Sequence, residues 1–387
     1  MSGWQLWTLP FFEAHHQKLA ERVASWRAPS HDEPRAEELA DACRALALSL
    51  AEKDILEILV PRRDAQGGRK IDVRALCIAR EAVAYESGLA DAVLAMQGIG
   101  TAALWMHGSE EQQALVLDRA RSGEAITGFA LTEPGSGSDV ANITTRAEAS
   151  GGDYVINGEK AFISNGGFAD HYVVVARTGE APGARGLSAF LVDKDAPGLS
   201  YGPPMELMAA HPLSSLTFSD CRVPASRLIG EAGRGFKIAM ETFDIFRTSV
   251  GAATLGMARR AMDETLARVK ERHLFGSPMA DIAGVQMKLA DMSIDLELAA
   301  LSVYRAAWAK DTIGGRCTRE ASMAKYVGTE AASRVIDGAV QIFGGLGVTR
   351  GSIVEQLYRE VRASRIYEGA SEVQKLVIGR SLLSERP

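Results

Sequence analysis

A chain of 387 residues is too long for one ordinary hydrophobic core, so two or three domains are expected. Its 47% hydrophobic and 24% charged residues are those of a soluble globular protein. A net charge of −6 and a pI near 5.8 argue against nucleic acid or an anionic membrane surface as the principal partner.

The opening stretch MSGWQLWTLPFFEAHH has a short apolar run without a cationic segment ahead of it, which makes a poor signal peptide. From residue 1 to about 122 the texture is helical, rich in Ala, Leu and paired charges, as in EELADACRALALSLAEKDILEIL. The longest uncharged stretch, Ala92 to Ser109, includes Gln97, His107 and glycines; it suits a buried helix better than a membrane span. From about 123 to 229 short β-branched runs alternate with Gly, Pro, Asn and Asp, and Asn157-Gly158 reads as a two-residue hairpin turn. From 230 to 387 long helices return. Leu255, Met262, Leu266 and Val269 keep one face of the first, and Leu289, Met292, Leu296, Ala299 and Val303 one face of the next. Helices, then a β segment, then a helical bundle make an α+β class by segregation rather than by βαβ alternation.

Cys43, Cys77, Cys221 and Cys317 lie far apart without a C-x-x-C, and so read as buried thiols in a reducing compartment. A bacterial cytoplasm or an organelle matrix fits. The histidines show no H-x-x-x-H spacing, and no metal site is expected.

Several segments can carry chemistry. FALTEPGSGSDV, Phe129 to Val140, crowds hydroxyls and glycines at a strand-to-loop junction; it is either an ordinary turn or a loop aiming N–H groups at a polar ligand. In GEKAFISNGG, Phe162 is either core or a ring that stacks on something flat. QIFGGLGVTRG has the wrong spacing for a dinucleotide-binding loop and no strand before it. FDIFR opens the bundle with a lone arginine, Arg247. In RIYEGASEVQKLVIG, Ser371 and Gln374 have the spacing of a capping box, which places Glu368 in the loop entering a helix and Gly369 where the backbone turns. Taken alone, Glu368 reads first as a solvated loop carboxylate ahead of a turn glycine.

The order and spacing of LTEPGSGSDV, GEKAFISNGG, CRVPASRLIGEAGRGF, QIFGGLG and RIYEGASEVQ closely resembles the acyl-CoA dehydrogenase family of flavoenzymes, from about Gly108 to the C-terminus. The resemblance implies an N-terminal helical domain (1–122), a middle β-barrel or sandwich domain (123–229) and a C-terminal four-helix bundle (230–387). It implies FAD, held by Phe129, Leu131 and Thr132 on one side and Phe162 and Ser164 on another, with Arg272, Phe275, Gln341 and Gly345 meeting the FAD of a neighbouring subunit. Ser138, Asp244, Arg247, Tyr367 and Gly369 fall on the acyl-CoA side. Glu368 matches the family's catalytic base, whose own N–H donates to the thioester oxygen. A homodimer or homotetramer is implied, with an electron-transfer flavoprotein as acceptor. An oxidase or flavin monooxygenase of the same fold is the main alternative, and a non-catalytic flavoprotein is another.

The chain departs from the family pattern in places. Ala370 stands where a Thr or Ser commonly follows the base and its glycine, and Leu274 where a Thr often meets the pyrophosphate. Phe246 occupies the position that holds the base in some relatives. Leu89, Ala90 and Asp91, without an arginine, follow Ser87-Gly88, which disfavours a carboxylate-tailed substrate. The stretch AYESGLADAVLAMQGIG suits a short, branched or alicyclic acyl group.

Overall fold

A computed structural model describes residues 9–29 and 33–384; the opening run through Thr8 lies outside the described residues. Five helices come first: α1 (Ala14–Ala24), α2 (Leu39–Ala51), α3 (Val73–Glu86), α4 (Gly88–His107) and α5 (Glu110–Arg121). Eight strands follow: β1 (Thr127–Ala130), β2 (Arg146–Ser150), β3 (Asp153–Ser164), β4 (His171–Arg177), β5 (Leu187–Asp193), β6 (Leu199–Tyr201), β7 (Leu213–Pro224) and β8 (Leu228–Ile229). Then come α6 (Gly235–Glu271), the small hairpin β9 (His273–Leu274) and β10 (Ser277–Pro278), α7 (Ala283–Thr312), α8 (Thr318–Phe343), α9 (Ile353–Ala363) and α10 (Ser371–Ser384). The segregated α, β, α order agrees with the sequence. The chain packs as two compact units, one of Ala28–Ile71 and Ala92–Phe246, the other of Met1–Arg27, Asp72–Asp91 and Arg247–Pro387. Helix α4 is long and apolar enough to cross a membrane, but 89% of its apolar window is buried inside the protein.

In the first unit the strands form one sheet in the order β6-β7-β3-β2-β4-β5-β8, with β1 pairing β4 in parallel. Its central strands β4 and β5 are buried along almost their whole length, as their unbroken apolar sequences require. The hairpin expected at Asn157-Gly158 does not form. β3 runs straight through both residues as a bulged strand, with a register shift between Ile156 and Gly158. Asn157 is held there by Asp220, whose N–H donates to Asn157 Oδ1 at 2.8 Å. The turn lies instead at Gly151-Gly152, both at positive φ (62° and 92°), between β2 and β3. Two glycines adopt that pair of conformations more cheaply than Asn-Gly, so the competing turn wins.

In the second unit most of the apolar faces read from sequence are buried: Leu255, Met262 and Val269 on α6, and Met292, Leu296, Ala299 and Val303 on α7, while Leu266 and Leu289 are half-buried. All four cysteines are free thiols, and burial pushes Cys43 up to about 12. Two glycines of α6 decide how close its neighbours come. A Cβ on Gly251 would lie 2.7 Å from the Ala324 carbonyl oxygen of α8, and one on Gly328 of α8 would lie 2.7 Å from Gly251 Cα. A Cβ on Gly256 would collide with the Glu81 carbonyl oxygen of α3. Backbone therefore packs on backbone at both crossings, and α3 and α8 meet α6 without side chains between them.

Gly256→Val is expected to lower unfolding free energy by at least about 1–3 kcal/mol, the range for overpacking a tight core. Gly284→Ala, where an added Cβ meets nothing within 4 Å, is the control and should be neutral or slightly stabilising. Equal urea midpoints for the two variants would refute the close α3–α6 contact.

Candidate active site

Glu368 sits in the short loop between α9 and α10 with φ +51°, followed by Gly369 at φ +88°. A left-handed conformation costs a non-glycine residue about 1–2 kcal/mol, so the surroundings must impose it. Helix α8 does so. Lys325 Nζ donates to the Gly369 carbonyl at 2.8 Å, and Gln374 Nε2 donates to the same oxygen at 2.8 Å and to the Glu368 carbonyl at 3.3 Å. Glu330, on the same helix, accepts from Arg365 Nε (2.9 Å) and Ser371 Oγ (2.7 Å), fastening both ends of the loop. The helix begins at Ser371 as expected, but the capping box does not form. Ser371 and Gln374 turn their side chains to Glu330 and to the loop carbonyls instead, adding donors to acceptors that Arg365 and Lys325 also meet.

The loop leaves Glu368 half-buried, with Oε2 buried and without a hydrogen-bond partner. Burial raises its pKa above the ordinary carboxylate value. Arg80, Lys325 and Arg247 oppose that shift, and Asp91 reinforces it. Arg80 is itself buried and paired with Asp91 through two bonds, Nε to Oδ1 at 2.9 Å and Nη2 to Oδ2 at 2.7 Å. Among the described residues no protein acceptor takes the Glu368 N–H. The arrangement combines a basic carboxylate and a free backbone donor at one place. Tyr367 and Gly369 lie beside it by sequence, and Arg247 is close enough to act on its charge.

The unit that holds the sheet has a cluster of its own. Lys160 Nζ, fully buried, donates to the Leu131 carbonyl (3.0 Å) and to Glu133 Oε1 (2.8 Å). Glu133 also accepts from the N–H groups of Thr144 and Thr145, and these bonds together hold its pKa down at about 2. The pair ties the LTEPGSG loop to GEKAFIS, and the Ala161 N–H donates to the Thr132 carbonyl at 2.9 Å. Leu131, Thr132, Phe162 and Ser164 are thereby neighbours. Phe162 is not core: it is 61% exposed, with φ +54°. Ser164 Oγ lies 2.9 Å from His211 Nε2. Phe129 is buried, edge-on to Phe243 at 5.6 Å, while Ser138 is exposed on the loop. Asp244 is half-buried on α6, and Phe246, fully buried, offers no base.

Arg272, Phe275, Gln341 and Gly345 are all exposed, and Phe275 stands almost wholly in solvent with φ +54°. They gather at one end of the helical unit, where Arg268 joins α6 to α8 through the Phe343 carbonyl (3.2 Å) and ring. Gln341 lies on α8 about 24 Å along the axis from Lys325, at 1.5 Å per residue. Within one chain these four residues do not reach Glu368. Among the described residues six non-glycine residues have positive φ, and three of them, Phe162, Phe275 and Glu368, are residues that the motifs single out. An exposed aromatic face held in a costly conformation, next to hydroxyls and backbone donors, fits a flat heteroaromatic cofactor.

Sequence reasoning missed Lys325, Glu330, Arg80 and the Lys160–Glu133 pair. Each reads as a surface charge on a helix or strand, and only burial marks it. It also missed a cluster of His15, His16 and Asp72, whose ligand atoms lie within 4.8 Å of one another. His16 Nδ1 accepts the Glu13 N–H, so Nε2 carries the proton that it gives to Asp72, which in turn caps α3. That cluster is a helix cap.

Residues 13–124, 128–221 and 233–383 match the profiles of the N-terminal, middle and C-terminal domains of acyl-CoA dehydrogenase. The chain is 36% identical over 380 residues to 3-(aryl)acrylate reductase of Clostridium sporogenes, covering 96% of this chain and 100% of that one. It is 39% identical over 312 residues to cyclohexane-1-carbonyl-CoA dehydrogenase of Geobacter metallireducens, covering 80% and 82%. The fold superposes on butyryl-CoA dehydrogenase from Megasphaera elsdenii with a TM-score of 0.86, at 32% identity over 96% of this chain and 99% of that one.

Lys325→Met removes one of two donors from the Gly369 carbonyl and is expected to cost about 1–3 kcal/mol of stability near pH 7. Burial lowers the Lys325 pKa from 10.5 to about 8, so between those values the unfolded chain binds the extra proton. The wild-type protein should therefore gain stability relative to the variant as the pH rises from about 8 toward 10.5. Urea denaturation across that range checks the sign, and a flat difference would contradict it.

Proposed function

The chain belongs to the acyl-CoA dehydrogenase family, and on that premise we propose that it oxidises a short or medium, branched or alicyclic acyl-CoA to the trans-2-enoyl-CoA, with Glu368 as the base. The observation that carries this reading is the Glu368 carboxylate, held at φ +51°, buried and unpartnered at Oε2. The proton α to a thioester is weakly acidic, and an ordinary carboxylate is a poor match for it. Burial raises the Glu368 pKa toward the working range, and among the described residues no protein acceptor takes its N–H. The N–H is then available to the thioester oxygen, where negative charge develops as the proton leaves.

FAD, when bound, accepts the hydride that leaves the substrate Cβ. Thr132, Phe162 and Ser164 of the β unit fit its contacts. The exposed Arg272, Phe275, Gln341 and Gly345, too distant from Glu368 within one chain, fit contacts to a cofactor held by a second copy. A homodimer or homotetramer follows, with an electron-transfer flavoprotein as acceptor and the bacterial cytoplasm as a compatible location. One relative is named a 3-(aryl)acrylate reductase, and in this chain a carboxyl of raised pKa that takes a proton in one direction would return it in the other. A cyclohexane-1-carbonyl-CoA dehydrogenase among the relatives favours an alicyclic or small branched acyl group.

Glu368→Gln keeps shape, N–H and packing and removes the proton acceptor. FAD content and acyl-CoA binding should persist, while flavin bleaching by substrate falls by at least ~10²-fold. Glu368→Asp should be intermediate, because retracting the carboxylate by about 1 Å can itself cost ~10²-fold. The acid limb of kcat/KM should lie above the ordinary carboxylate pKa, since the folded group resists ionisation. Stopped-flow reduction across an acyl-CoA panel decides both base and substrate; re-exposing the reduced enzyme to oxygen tests the oxidase alternative, which requires rapid reoxidation.

The purified protein is expected to bind about one FAD per chain and to sediment as a dimer or larger. Full FAD occupancy in a monomer, by ultracentrifugation with flavin absorbance, would sink the shared-cofactor reading.

A further inference from the structure

The charges of Arg80 on α3, Lys325 on α8 and Arg247 on α6 favour ionisation of Glu368, and that of Asp91 on α4 opposes it. Lys325 is committed to the Gly369 carbonyl. Arg80 is committed through both edges of its guanidinium. Its Nε and Nη2 edge is bidentate on Asp91, and Nη1 donates to Ser249 Oγ at 3.0 Å. Both Arg80 and Asp91 are almost entirely buried, at 2% and 3% exposure. A buried ion pair of this kind is seldom a net source of stability, since apolar groups of similar volume usually do as well. Meanwhile the nearby Glu368 Oε2 has no partner. A guanidinium beside an unpaired buried carboxylate would ordinarily pair with it.

We propose that Asp91 is a positioning residue for the base: by occupying the bidentate edge of Arg80, it keeps that guanidinium off Glu368 and leaves the Glu368 carboxylate open for proton transfer. The proposal rests on the reading of Glu368 as the base. Without the Asp91 charge, three cations act on one carboxylate, which then ionises more easily and becomes a weaker base held in an ion pair. Gly256 supports the arrangement, because the close α3–α6 crossing brings Arg80 to Ser249.

The test uses the FAD-loaded enzyme. In Asp91→Asn, FAD content should be unchanged, and a crystal structure should show Arg80 within 4 Å of a Glu368 oxygen. The acid limb of kcat/KM should move down by about one pH unit or more, and flavin reduction should fall by about 10-fold or more. Asp91→Glu, which keeps the charge, should recover most of the rate. The double variant Arg80→Met/Asp91→Leu removes both charges, and should reduce flavin within a few-fold of wild type, with its acid limb at or above the wild-type position. The proposal is overturned if Asp91→Asn keeps the wild-type acid limb with Arg80 still on residue 91, or if the double variant is no faster than the single one. Glu368→Gln separates the two readings. If it reduces flavin at the wild-type rate, the base assignment fails, and the crystal structure of Asp91→Asn still decides whether Asp91 holds Arg80 away from Glu368.

Discussion

The helical unit depends on one constraint: a left-handed turn at Glu368-Gly369 that the sequence does not favour and that α8 enforces. A turn of this kind persists only if its carbonyls are paid for by buried donors. Lys325 and Gln374 supply them, and Glu330 ties the flanking Arg365 and Ser371 to the same helix. The carboxylate is thereby presented by a loop fastened at both ends to the helix beneath it. That fastening matters because proton transfer is sensitive to displacements of an ångström.

The charge balance around the turn follows from backbone packing elsewhere. Gly251 and Gly328 let α6 and α8 touch, and Gly256 lets α3 press on α6. These contacts draw Arg80, Ser249 and Lys325 into one buried region, where a lone cation would be costly. Asp91 and the Gly369 carbonyl meet that cost by pairing with them. The result is a carboxylate whose pKa burial raises, while two of the cations that act on it, Arg80 and Lys325, are engaged with Asp91 and the Gly369 carbonyl.

The β unit solves a different problem with similar means. The Lys160–Glu133 pair is buried, hydrogen-bonded on both sides, and locks the loop after β1 to the bulged strand β3. Phe162 is then left in solvent at a strained φ, as Phe275 is at the tip of the β9–β10 hairpin. Exposed aromatics in costly conformations are surfaces awaiting a ligand or a partner, not leftovers of core packing.

Much of this was legible in the sequence. The α, β, α order follows from a change in periodicity and turn chemistry, and the buried faces of α6 and α7 from apolar spacing, because those signals are local. Glu368 and Gly369 stand out through the motifs around them, and so do Phe162 and Phe275. The Asn157-Gly158 turn and the Ser371–Gln374 box were misread for one reason. Each is a sound local preference overruled by a distant partner, the first by Asp220 and the Gly151-Gly152 turn, the second by Glu330 and the loop carbonyls. Lys325, Arg80, Asp91 and Lys160 carry no local mark at all, since a charge looks the same in sequence whether it is solvated or buried. The sequence by itself determined the elements and the residue types at the site. Only the tertiary structure decided which charges leave water and what each one pairs with, because desolvation is set by neighbours tens to hundreds of residues away.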